Sequence, residues 1–101
     1  MKTNDVTMVR IYLTEGETQL KSLLKRLQKW EKLRGVTVFR GIAGYGDSGT
    51  IHDAGLIDLA LDLPLVLEFF DDPGKIQSIV DHLNKDFKPG HIVTWPARVN
   101  V

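Results

Sequence analysis

Two periods of apolar repetition alternate along the chain. Residues 6–13 (VTMVRIYL) alternate with period two, Val9, Ile11 and Leu13 on one side and Met8, Arg10 and Tyr12 on the other. Their β-branched and aromatic content predicts a first strand with one apolar face. The opposite face carries Arg10 and Tyr12, so it meets solvent or a partner. The period then lengthens. Leu20, Leu23, Leu24, Leu27 and Trp30 recur at helical spacing, and Gly35 is suited to the position after a helix end, which predicts a helix over residues 18–34. Period two returns in residues 36–45, where Val36, Val38, Arg40 and Ile42 share one face and Thr37 and Phe39 the other. A connection over residues 46–62 follows, longer than most loops of a compact domain. Residues 63–70 (LPLVLEFF) form a nearly unbroken apolar run, as expected of a strand covered on both faces. Asp72-Pro73 is a helix start, with an N-cap carboxylate and proline at the first position. Ile76, Ile79, Val80, Leu83 and Phe87 continue that helix toward Pro89 and Gly90. A last strand covers residues 91–101, and Pro96 makes it an edge or bends it there.

Strand, helix, strand, strand, helix, strand is the order of the split βαβ, ferredoxin-like arrangement, an α+β fold with a four-stranded antiparallel sheet and both helices on one face. That order leaves a problem. The third strand is apolar on both sides, and Phe39, Val66 and Phe70 point away from the helices. A bare apolar sheet face calls for another sheet or another copy of the chain.

Composition narrows the options. A length of 101 residues predicts a single domain over 1–101. Thirteen cations balance 13 carboxylates, which argues against a protein that coats nucleic acid or an anionic surface as its main task, while leaving room for a local basic patch. With no cysteine, there are no disulfides, thiolate metal sites or cysteine nucleophiles. No apolar run approaches the ~20 residues of a membrane span, and the first ten residues lack a signal core, so the expected compartment is the cytoplasm.

Candidate chemistry concentrates at the end of the second strand. Gly41, Gly44, Gly46 and Gly49 fall within nine residues, interleaved with Arg40 and Tyr45. Freed backbone amides there could hold a phosphate with Arg40 adding a charge-assisted bond. Alternatively, the glycines permit close packing and Arg40 pairs with Glu68 or an aspartate. Lys21, Lys25, Lys29 and Lys32 form a row on the first helix, either solvated or in contact with phosphates. His52, His82 and His91 have no ligand spacing, so no metal site is expected, and His52 serves to orient its loop. No catalytic constellation, Walker loop or dinucleotide fingerprint is present, and no enzyme activity or resident cofactor is expected.

The run Arg40 to Gly46 (RGIAGYG), then Ile51-His52, then Asp62-Leu63-Pro64, resembles the PII-like family known as domain of unknown function 190. Gly35, Thr37 and Val38 ahead of it and Arg10-Ile11-Tyr12 in the first strand also fit, so the resemblance covers nearly the whole chain. Val36 stands where alanine is usual and Tyr45 where phenylalanine is usual, and the loop before the first helix is short. The resemblance implies a homotrimer with sheets packed inward and a regulatory role. It implies an adenine nucleotide in intersubunit clefts lined by Arg40, Gly41, Gly44, Tyr45 and Gly46, with Lys88 and Gly90 from the turn before the last strand. It also implies a partner, such as a membrane transporter, touched by the 46–62 loop. The alternatives are a divalent-cation-binding tolerance-type protein of the same architecture and an RNA-binding module. RNA binding ranks low, because the third strand lacks the basic and glycine positions of an RNA-recognition motif and no nucleic-acid partner is expected.

Overall fold

In the computed structural model the described residues are 1–13, 16–46, 49, 51–53 and 64–101. Four strands form one antiparallel sheet: β1 (Thr3–Leu13), β2 (Thr37–Arg40), β5 (Leu65–Asp71) and β6 (Ile92–Asn100), in the order β2-β5-β1-β6. Two short strands, β3 (Ala43–Gly44) and β4 (His52–Asp53), make a separate hairpin. Helices α1 (Gly16–Lys29) and α2 (Pro73–Leu83) supply the remaining layer, and a 3-10 turn at Asn84–Asp86 extends α2. This is the ferredoxin-like order expected from the alternation of periods.

Register assigns every sheet residue to a face, because directly opposed residues share one. Leu67 lies opposite Ile11 and Val38, and Phe69 opposite Val9. These point to the helices. Val9, Ile11, Leu67 and Phe69 join Leu20, Leu23 and Leu27 of α1 and Ile76, Ile79 and Leu83 of α2 in the core, while Val38 on the edge strand stays 36% exposed. The other face carries Met8, Arg10 and Tyr12 of β1 opposite Phe70, Glu68 and Val66 of β5. Phe39 adds to it from β2, and Val93, Trp95, Ala97 and Val99 from β6. The apolar side of β6 therefore faces away from the helices, and its other side meets the core chiefly through Ile92. Phe39 remains 50% exposed and Phe70 46%. The bare face expected from Phe39, Val66 and Phe70 exists, and it extends across all four strands.

Several boundaries differ from the sequence expectation, for local reasons. Helix α1 stops at Lys29 and not at Arg34. Lys32, not Gly35, takes the left-handed conformation (φ 56°), and the Leu33 N–H then reaches back to the Leu27 carbonyl at 3.0 Å. That reversal returns Leu33 to the core, and its burial offsets the strain of a left-handed lysine. Trp30, whose N–H still donates to the Arg26 carbonyl at 2.9 Å, lies at the end of α1 outside the core and is 81% exposed. Helix α2 ends at Leu83, short of Pro89. Its start is as expected: Asp72 caps it by accepting from the N–H groups of Gly74 (3.0 Å) and Lys75 (3.4 Å). Pro96 sits in β6, an edge strand, where its missing N–H costs no ladder bond.

Candidate ligand-binding site

The expected second strand over residues 36–45 is broken in two. β2 ends at Arg40, opposite Leu65. The Gly41 N–H then donates to the Pro64 carbonyl at 2.7 Å, and the chain turns at Ile42 into the β3–β4 hairpin, where Gly44 faces His52. Pro64 determines what the glycines do. A Cβ on Gly44 would lie 2.8 Å from Pro64 Cγ, and one on Gly41 would lie 3.2 Å from Pro64 Cβ. Both glycines therefore let the hairpin base close over the proline ring. A Cβ on Gly46 would meet no described residue within 4 Å, and Tyr45 beside it is 74% exposed. Of the glycine-rich run, Gly41 and Gly44 have a packing role, and Tyr45 stands open.

Arg40 lies at the edge of the sheet on the helix-facing side, in register with Leu65. Its suggested partner Glu68 is on the other face, in register with Thr37, and is already engaged. Arg10 holds Glu68 Oε2 through Nε at 3.0 Å and Nη2 at 2.6 Å, and the Arg10 guanidinium also lies over the Trp95 ring, 5.5 Å from its centroid. The hydrogen bond to Glu68, followed by that to Tyr12, raises the Arg10 pKa above its ordinary value. Sequence reasoning did not find this cluster, although strand alternation already placed Arg10 away from the core.

Lys88 and Gly90 lie in the turn before β6. Gly90 takes a left-handed φ of 89°, and the Lys88 carbonyl accepts from the His91 N–H at 3.3 Å. The turn is fastened to β1 twice. The Tyr12 N–H donates to the His91 carbonyl at 2.9 Å, and His91 Nδ1 donates to the Tyr12 carbonyl at 3.2 Å. Leu13, Leu65 and Arg40 run across the same end of the sheet. The two halves of the expected site thus share one end of the sheet but occupy opposite edges, β2 and β6. Three strand spacings separate them, about 14 Å. The described residues of one chain do not bring them into a single pocket. The 46–62 loop falls largely outside the described residues. Among those that are described, no three His, Asp or Glu side chains come together, and no helix is long and apolar enough to cross a membrane.

The fold is similar to that of solved PII-like proteins. A PII-like nitrogen regulatory protein from Thiomonas intermedia K12, solved with ADP, AMP and bicarbonate, matches 99% of this chain and 100% of its own with a TM-score of 0.70 at 13% identity. A PII-like signaling candidate from Thermus thermophilus matches 98% of this chain and 91% of its own, with a TM-score of 0.61 at 17% identity. At these identities the likeness concerns the fold. Sequence gives the family: residues 6–99 match the DUF190 model (Uncharacterized ACR, COG1993), and the chain belongs to that family. A UPF0166 protein of Methanocaldococcus jannaschii is 30% identical over 91 residues, covering 85% of this chain and 82% of its own length. One of Aquifex aeolicus is 39% identical over 69 residues, covering 68% of this chain and 65% of the relative, just under two thirds of its length.

Proposed function

We propose that the chain is a PII-like regulatory protein without catalytic activity. It works in the cytoplasm as a homotrimer and holds an adenine nucleotide in clefts between subunits. Residues 46–62 carry the signal to a partner such as a membrane transporter. The observation that carries this reading is the open sheet face. Phe39 and Phe70 are each about half exposed there, and covering them would contribute roughly 2 kcal/mol apiece at about 25 cal/mol per Å2. Copies packed face to face would remove that surface from water. They would also carry the Lys88–Gly90 turn of one subunit toward Arg40, Tyr45 and Gly46 of the next, completing a site that one chain leaves in two halves. The adenine nucleotides in the Thiomonas protein support the choice of ligand.

Solution mass and thermal shift test the two parts separately. Light scattering is expected to give three chains per particle. ATP, ADP, AMP and cyclic nucleotides are then screened for a rise in Tm, and Arg40→Ala is expected to abolish the nucleotide-dependent rise while leaving the mass unchanged. A monomer at micromolar concentration would overturn the assembly. Dissociation by Arg40→Ala would make Arg40 structural and remove the cleft.

A further inference from the structure

We propose that the outward face of α1 is a docking surface for anionic phospholipid bilayers. The net charge of zero conceals a strong segregation. Six of the 13 lysines and arginines fall within residues 21–34 beside a single carboxylate, Glu31, so this stretch carries +5 and the rest of the chain −5. Glu31 is already paired with His82, at 2.9 Å. Lys21, Lys25 and Lys29 stand four residues apart. At 100° per residue their directions span about 80° of the helix circumference, centred opposite Leu20, Leu23 and Leu27, which face the core. The three ammonium groups therefore project straight away from the protein along roughly 12 Å of helix. All three lysines are exposed, and no ion pair within the described residues engages them.

A row of lysines alone would be an ordinary solvated face. Two further features give it a direction. Trp30, whose N–H still donates to the Arg26 carbonyl at 2.9 Å, is 81% exposed at the end of the helix, beside Lys25 and Arg26. An indole so placed suits the headgroup boundary, where its ring meets acyl carbon and its N–H meets water. Beside the row runs an open groove of about 840 Å3 with an apolar floor of Leu24, Leu33 and Val36, rimmed by Lys21, Lys25 and Arg34, with no carboxylate among the described residues that line it. Cations next to apolar surface match a layer of phosphates over hydrocarbon better than they match a nucleic acid backbone. The surface lies on the side of the molecule away from the open sheet face, so the proposal stands whether or not the chain trimerises.

The test uses the full chain and vesicles of phosphatidylcholine, alone or mixed with phosphatidylglycerol. Sedimentation is expected to show partition into the mixed vesicles only, and release at high salt. Trp95→Phe leaves Trp30 as the sole tryptophan, whose emission should then shift to the blue and be quenched by brominated acyl chains. Each basic residue near an anionic surface contributes roughly a fivefold factor, so K21Q/K25Q/K29Q should lower the partition coefficient on the order of a hundredfold. These substitutions are at exposed positions, and an unchanged circular dichroism melt verifies folding. Equal partition into both vesicle types, or undiminished binding by the triple variant, overturns the proposal. So does capture by polyglutamate or duplex DNA without any partition into vesicles, which would assign the face to an acidic protein or to nucleic acid.

Discussion

Gly44→Ala separates packing from ligand binding in the glycine-rich run. The added Cβ would lie 2.8 Å from Pro64 Cγ, whereas carbon atoms in good contact stand about 3.5–4.0 Å apart. The proline ring cannot swing aside as a long side chain could. Its own carbonyl accepts the Gly41 N–H at 2.7 Å, and the next residue begins a central strand. The hairpin base has to move by more than half an ångström instead, and overpacking of this kind costs about 1–3 kcal/mol. The lower backbone entropy of alanine in the unfolded chain returns about 0.4–1 kcal/mol. A net loss near 1–2 kcal/mol should lower Tm by roughly 4–16 °C in a domain of this size. Gly41→Ala, at 3.2 Å, should cost less. Gly46→Ala meets nothing among the described residues and should be neutral. Calorimetry of the three variants gives the ranking. Pro64→Ala in the Gly44→Ala background should restore most of the loss, since a smaller side chain takes away the clash. A Gly44→Ala protein as stable as the parent, or a double variant without rescue, would refute the packing role and return Gly44 to the list of ligand contacts.

Three further outcomes follow from the same geometry. Leu27→Ala removes a fully buried side chain where α1 meets the sheet and should cost about 2–5 kcal/mol, read as a lower denaturant midpoint. Burial pushes the Asp71 carboxyl up, but the Asp72 N–H and the Lys75 ammonium, 3.0 Å away, outweigh it and hold the group below the usual carboxylate range. Its folded pKa is depressed, so its contribution is present above the unfolded value of about 3.9 and is lost as pH falls through the lower folded value. Asp71→Asn should accordingly lower Tm at pH 6, by the equivalent of up to about 1 kcal/mol, with the difference closing toward pH 2. A difference that persists at pH 2 would contradict the electrostatic origin. Finally, a double-mutant cycle of Arg10→Ala and Glu68→Ala should give a coupling of about 0.2–1 kcal/mol if the open face is solvated, and 2 kcal/mol or more if another copy covers it.

Much of the fold was legible because each element had its own period and a clear stop. The Asp72-Pro73 cap, the apolar run of β5 and Pro96 on an edge strand are signals of that kind, carried by residues close in sequence. What escaped depends on distant residues. Gly35 was a reasonable end for α1, but the chain reverses at Lys32 because Leu33 has a place in the core to return to. The second strand breaks after Arg40 because Pro64, 24 residues on, accepts the Gly41 N–H and fills the space beneath Gly44. The glycines were visible as a cluster, and what they accommodate was not. Likewise the alternation of Val93, Trp95, Ala97 and Val99 was plain, but alternation does not say which side of a sheet the helices take.

The same register explains why a salt bridge sits in the middle of an apolar surface. Arg10 and Glu68 are opposed on the two central strands, with Tyr12, Val66, Phe70 and Trp95 around them. In water the pair adds little, since half-exposed ion pairs contribute about 0–1 kcal/mol. Under a second sheet its importance rises, because a surface that is otherwise greasy could pack against a copy in many registers. A carboxylate and a guanidinium that must stay paired, with the Trp95 ring beside the cation, restrict those packings to the ones that leave neither charge buried alone. In the proposed assembly, Arg10 and Glu68 would bear on how copies align more than on how tightly a single chain holds together. Deleting Glu68 alone should therefore disturb assembly more than removing both partners, since only the single deletion strands a cation under the interface.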